Sequence, residues 1–319
     1  MQKTIKRSLV IVGMGVALAS SLAHAADTLR LGIMPFVPYS AILVAKQNGW
    51  IEEELKKEGL NDVSLKWSQF AGGPPTNEAM AAGDIDIASL GDTPALVGRA
   101  SGIDDRAIGL SYKGGAAQAL VVRSDSAIKT VAELKGKKVA TLRGGNVHEL
   151  LVLVLKEAGL SLSDVQFVNL GLDDMGAALL KGDIDAALVW DPVFVRLDTT
   201  HKIRVLRTGD GLKNNLNPII ASASVLKNHP QYVQAYLRAV QRGADELRAH
   251  PQVAAKQLAP VFGLTPEQTL VAFSRSTWVP PLDANARAEL KRSVTFLQDN
   301  RLIRNPLDID TFVDIPAGK

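Results

Sequence analysis

Residues 83–96, GDIDIASLGDTPAL, and residues 182–195, GDIDAALVWDPVFV, are two versions of one phrase, ninety-nine positions apart. In each, a Gly-Asp turn leads into a short apolar run. The run ends at an aspartate nine residues after the glycine, Asp92 in one copy and Asp191 in the other. The prolines fall one step out of register, at Pro94 and Pro192. A phrase that occurs twice over this distance points to two similar halves rather than a solenoid, which needs several closely spaced copies. Two halves can make a cleft.

Outward from the repeat, the chain alternates. LRLGI (29–33) reads as a buried strand, SAILVAKQNGWIEEELKKEG (40–59) as a helix, VSLKWSQF (63–70) as a strand, TNEAMAAG (76–83) as a helix and IDIASL (85–90) as a strand. The cycle restarts with strand KKVATL (137–142), helix NVHELLVLVLKEAG (146–159), strand VQFVNLG (165–171), helix DMGAALLKG (174–182) and strand IDAALV (184–189). Short connections between such elements predict an α/β chain in which each half is a mainly parallel sheet flanked by helices. Beyond about 217 the pattern turns helical apart from IIASAS (219–224), and this tail is expected to pack on the first half. The predicted organisation is a leader over 1–25, a first lobe of 26–113 plus 217–319, and a second lobe of 114–216. The crossings near 113–122 and 214–220 contain no low-complexity linker, which suits hinge motion rather than free tumbling.

At 319 residues, with 46% apolar and 22% charged residues, the chain has the composition of a globular protein with a substantial core. The first 25 residues combine Lys3, Lys6 and Arg7 with an apolar stretch and end in Ala23-His24-Ala25, the pattern of a cleaved export signal. Those three basic residues account for the whole formal charge of +3, so the rest of the chain holds 33 residues of each sign. A neutral mature chain argues against nucleic acid as a partner. There is no cysteine, which excludes disulfides and a cysteine-linked lipid anchor. The expected location is periplasmic.

Ligands of open parallel sheets bind beyond the carboxyl ends of the strands, where loops enter helices. That rule selects the loops around Met34, Phe36 and Tyr39, around Gly72 and Gly73, around Asp92 and Thr93, around Gly144 to His148, and around Trp190 and Asp191. Paired glycines let the backbone approach a solute, and the start of a helix attracts anions. Each residue also has a plain structural role open to it. Asn146 with Glu149 fits a capping box, Thr93-Pro94 and Asp191-Pro192 fit helix starts, and Trp190 and Trp278 fit core or rim aromatics. Asp92 and Asp191 either touch the ligand, one from each half gripping the positive end of a solute, or cap the helices that follow them. The catalytic motifs sought, G-x-S-x-G, the P-loop and H-E-x-x-H, are absent, and the scattered histidines lack metal-ligand spacing. No cofactor or metal is expected.

LRLGI, GDIDIASLGDTPAL, the stretch from VAELKGKKVA to NVHELL, GDIDAALVWDP and RSTWVPP together resemble the periplasmic solute-binding components of ABC importers for aliphatic sulfonates and taurine, within the wider nitrate, sulfonate and taurine family. The resemblance implies a two-lobed, type II periplasmic-binding-protein fold that closes on one solute and delivers it to a membrane permease, acting as a monomer and not as an enzyme. It places Gly144, Gly145, Asn146, Val147 and His148 at the sulfonate-binding helix start, Asp92, Thr93, Trp190 and Asp191 along the cleft, and Trp278 near its edge. The chain departs from the pattern at IMPFVPYS (33–40), where Met34, Phe36 and Tyr39 are expected to shape a more apolar pocket. Receptors for sulfate esters, nitrate or a pyrimidine precursor remain alternatives, as does an exported hydrolase or lyase using Asp92 or Asp191 as general base.

Overall fold

The computed structural model describes residues 27–315, so the expected leader lies outside the described residues. The chain builds two sheets. The first comprises β1 (Thr28–Ile33), β2 (Ser64–Gln69), β3 (Ile87–Ser89), β4 (Asp105–Lys113), β10 (Leu216–Ser222) and β11 (Thr277–Trp278), in the order β11-β4-β10-β3-β1-β2. The second comprises β5 (Gln118–Arg123), β6 (Lys138–Thr141), β7 (Gln166–Asn169), β8 (Ala186–Trp190) and β9 (Ile203–Thr208), in the order β7-β6-β8-β5-β9.

Both sheets are mixed, which corrects the expectation of mainly parallel sheets. β1 pairs in parallel with β2 and β3, and β6 with β7 and β8, as the strand-helix-strand rhythm requires. The strands beside the crossings run the other way: β10 is antiparallel to β3 and β4, and β5 to β8 and β9. Periodicity reports burial, not strand direction, so the antiparallel members were invisible to it.

In the first half the helices are α1 (Ser40–Gln47), α2 (Trp50–Lys57), α3 (Gly73–Ala81) and α4 (Asp92–Ala100). The stretch read as one helix over 40–59 breaks at Gly49, whose φ of 68° is left-handed and ends the α1 path. The second half holds α5 (Asn146–Glu157), α6 (Leu172–Lys181) and α7 (Val193–Asp198). The tail supplies α8 (Ala223–Asn228), α9 (Pro230–Ala249), α10 (Pro251–Phe262), α11 (Pro266–Ser274), α12 (Ala284–Asp299) and α13 (Ile309–Phe312).

Strand alternation explains the layering of the second sheet. Ala119 and Val121 of β5 bury against Met175, Leu179 and Phe194 on one face, while Leu120 and Val122 bury with Leu150, Leu151 and Val154 on the other. The first sheet shares one continuous core with the tail helices, in which Tyr236, Ala239 and Val240 of α9 join Ala41, Ile42 and Leu43 of α1. The tail helices thus share the core of the first sheet.

Candidate functional site

A cavity of about 370 Å3 opens where strand ends from both sheets meet. The first sheet contributes Met34, Phe36 and Tyr39 after β1, Gly72 and Gly73 at the entry to α3, and Gly91 before α4. The second contributes Leu142 to Val147 at the entry to α5, and Trp190 at the end of β8. Asn215 and Asn217 from the return crossing and Leu302 from the tail complete much of the wall.

The three helix starts differ in what they offer. Helix geometry leaves the first N–H groups without an acceptor inside the helix. In α3, Pro74 and Pro75 have no N–H to give. In α5 the N-cap is Gly145, and Asn146 and Val147 follow with ordinary amides. Gly144 adopts φ 77°, the left-handed turn that aims this loop at the cavity. The α5 entry is thus the best-equipped anion cradle. Asn146 is fixed by its side-chain amide donating to Asn215, which itself sits at φ 51°.

The packing of the first-sheet helix starts is close. A Cβ on Gly73 would fall 2.4 Å from Pro94 Cβ, so only glycine lets α3 lie against α4 there. Asn77 donates to the Pro94 carbonyl at 2.8 Å and ties the two helices together. The rest of the wall is apolar, with Val97, Leu142, Trp190 and Leu302 joining Met34 and Phe36. Among the described residues Arg143 is the one charged side chain in the wall, stacked over Phe167 at 4.6 Å, and no carboxylate of theirs lines the cavity. Burial pushes the Tyr39 phenol far above its ordinary range, keeping it a neutral wall group beside Asn217.

Ten of the fifteen residues expected at the site line this cavity: Met34, Phe36, Tyr39, Gly72, Gly73, Gly144, Gly145, Asn146, Val147 and Trp190. Five do not, and each has a physical reason. Asp92 lies one residue beyond the lining Gly91 and turns inward, where Lys213 Nζ donates to it at 2.8 Å in full burial. Thr93, also buried, donates to Glu149 at 3.5 Å. Glu149 makes no capping box with Asn146; it pairs with Lys213 at 2.8 Å and accepts from Ser293 at 3.1 Å. His148 is buried between Phe167 and Phe296, accepts from the Gly144 amide at 3.4 Å, and is held below its ordinary pKa by burial. Trp278 packs on Tyr112 and Phe273, with ring centroids 5.6 and 5.4 Å away.

Asp191 is the fifth. Its Oδ1 accepts from the Val195 amide at 2.9 Å inside α7, and Arg275 lies 3.6 Å away. Burial pushes its carboxyl up to about 7 in spite of that cation. Of the two roles open to Asp92 and Asp191, the contacts seen here are those within the protein: Asp92 with Lys213, and Asp191 with the Val195 amide and Arg275. Asn77, Asn215, Asn217, Arg143 and Leu302 were missed. The two crossing asparagines could have been found from their place at a return crossing between halves, whereas nothing local marks Leu302. Among the described residues no group of three or more acids and histidines is placed to hold a metal ion, and no helix is long and apolar enough to cross a membrane.

The NMT1/THI5-like family profile matches residues 38–254, which spans both halves of the cavity wall. The chain belongs to that family. Among its relatives, a putative aliphatic sulfonates-binding protein of Escherichia coli K12 is 28% identical over 316 residues, covering 97% of this chain and 95% of the relative. A putative aliphatic sulfonates-binding protein of Bacillus subtilis 168 is 32% identical over 249 residues, covering 77% and 73%. The crystal structure of the periplasmic aliphatic sulphonate binding protein SsuA from Escherichia coli superposes with a TM-score of 0.82 at 27% identity, covering 90% of this chain and 97% of that one. The α/β fold of this family member is therefore that of a periplasmic binding protein. A desulfurization enzyme, DSZB, shares the fold alone, with a TM-score of 0.70 at 21% identity.

Proposed function

We propose that the protein is an exported receptor that captures an organosulfonate in this cavity and hands it to an ABC-transporter permease, working as a monomer without catalysis. The carrying observation is the division of the wall: helix-start amides and Arg143 for the anion, apolar side chains for the organic part, and no carboxylate to engage an ammonium. Its family relatives are named for the same class of solute. Residues 26–113 with 217–319 would form one lobe and 114–216 the other, closing about the two crossings. Residues 1–25 would direct export and be removed. A hydrolase or lyase would need Asp92 or Asp191 as a base facing the solute, and neither lines the cavity.

Thermal unfolding with simple alkanesulfonates, taurine, an alkyl sulfate and nitrate tests this reading. At a free ligand concentration one hundred times the dissociation constant, the bound form gains about 2.7 kcal/mol, enough to move the midpoint by several degrees. Alkanesulfonates should raise it most. If nitrate or the alkyl sulfate stabilises and no sulfonate does, the solute assignment fails.

A further inference from the structure

The Asp92–Lys213–Glu149 cluster touches no solute in the reading above, yet it lies directly behind two of the cavity's three helix starts, those of α4 and α5. Gly91, in the wall, precedes Asp92. Asn146, also in the wall, is three residues before Glu149, one helical turn. The side chains of Lys213, Asp92 and Glu149 are 1%, 0% and 5% exposed, so water screens none of them. One ammonium serves two carboxylates, each 2.8 Å away, and the count leaves one surplus negative charge. The other groups facing Glu149 are hydroxyls, Ser293 from α12 and Thr93 from α4, and they carry no charge to offset it. His148, its chain neighbour, is held below its ordinary pKa by burial. Arg143 in the wall does carry a positive charge, but it is exposed and stacked on Phe167, so solvent screens it where nothing screens the cluster. Burial, with Asp92 adding to it, raises the Glu149 carboxyl above its ordinary range even against Lys213, so the surplus charge is fullest at alkaline pH.

We propose that this cluster makes the cavity selective for singly charged anions, accepting a sulfonate and excluding a dianion of the same shape, such as an alkylphosphonate that has lost both protons. The inference rests on the anion-receptor reading given above. Each helix start offers a partial positive charge of about one half, which balances one unit of ligand charge far better than two. The surplus carboxylate repels every unit the ligand brings. At one to two helical turns and an effective dielectric near 20, the second ligand charge should cost roughly tenfold to two-hundredfold in affinity. Shape alone would not separate the two ligands, since a phosphonate and a sulfonate on the same alkyl chain present the same three-oxygen tetrahedron.

The test is calorimetric titration of propanesulfonate and propylphosphonate into the mature protein and two variants, at an alkaline pH where the phosphonate carries two charges. In the unaltered protein the phosphonate should bind at least about tenfold more weakly, and at acid pH, singly charged, it should approach the sulfonate. Glu149→Gln removes the surplus and should narrow the alkaline gap by about tenfold, whereas Glu149→Asp keeps the charge and should keep the gap. Equal affinities in the unaltered protein overturn the proposal without any variant. A gap that Glu149→Gln leaves unchanged also overturns it. If propanesulfonate itself fails to bind, the receptor reading falls and takes this proposal with it.

Discussion

Arg275, at the end of α11, holds its guanidinium 3.6 Å from Asp191, at the end of β8, so the aspartate of the second repeat is spent on joining the tail to the second half. The same guanidinium bonds to Asp198 and lies 4.3 Å over the Phe194 ring, which makes α7 the anchor of that junction. Asp191→Asn keeps an acceptor for the Val195 amide and gives up only the charge. It should change the affinities for taurine and for an alkanesulfonate of the same length equally, each by less than about threefold, while shifting the unfolding midpoint by an amount typical of a polar substitution. Calorimetry on both ligands checks it. A loss confined to taurine would return Asp191 to the ligand.

Stability should fall as the pH rises from about 4 to about 7. Burial pushes both Asp105 and Asp191 from 3.8 up to about 7. Each keeps its proton longer in the fold than in the unfolded chain. Their contribution is therefore whole below the unfolded value and is lost progressively as the pH climbs to the folded one, by up to about 1.4 kcal/mol per pH unit for each group. Asp105 is the cleaner case, fully buried with both carboxylate oxygens lacking a hydrogen-bond partner. Asp105→Asn should flatten the slope in denaturant unfolding measured across that range. An unchanged slope would mean that Asp105 is ionised in the fold.

Gly73→Ala should weaken the solute and destabilise the protein together. The added methyl meets Pro94 at a distance no real Cβ tolerates, and Pro94 is itself in the cavity wall. Either α3 moves off α4 or the α4 entry shifts, at about 1–3 kcal/mol for an overpacked contact. Gly72→Ala is the control. Its φ of 173° is extended backbone and its Cβ position is open apart from Pro74 at 3.9 Å, so the loss there should be much smaller. Urea midpoints of the two variants decide it.

Affinity should grow with the alkyl chain of the sulfonate. Each methylene buried against Phe36, Leu142, Trp190 and Leu302 is worth about 0.8 kcal/mol, or roughly fourfold, until the wall is covered. Trp190→Ala should flatten the series for long chains and leave methanesulfonate nearly unchanged. A series that is flat in the unaltered protein would place the organic part in solvent.

The repeated phrase told the fold because its information is local: an apolar run of strand length, a glycine that ends a helix, an aspartate at a strand end. The glycine loops at 72–73 and 144–145 were legible for the same reason, since close backbone approach needs glycine wherever it occurs. What escaped was direction and partnership. Asp92 and Asp191 stand at the strand ends the pattern indicates, but whether such a side chain faces the cavity depends on a cation 121 residues away in one case and on Arg275 in the other. Lys213 reads in sequence as one more lysine in a polar crossing, GLKNN. Only the fold makes it the buried partner of two acids.

The position of β10 sets a condition on how the chain can be made. This strand lies between β3 and β4, with Ile219 opposite Ser89 on one side and Gly109 on the other. Everything else in the parallel part of that sheet is present by residue 113, yet the sheet stays split down its middle until residue 222 arrives. Through that interval the growing polypeptide carries two raw strand edges there, each able to recruit another chain. Cutting the gene after the first crossing would accordingly give a sticky fragment rather than half a receptor. The N-terminal portion therefore needs shelter until Leu216–Ser222 has been made and has paired.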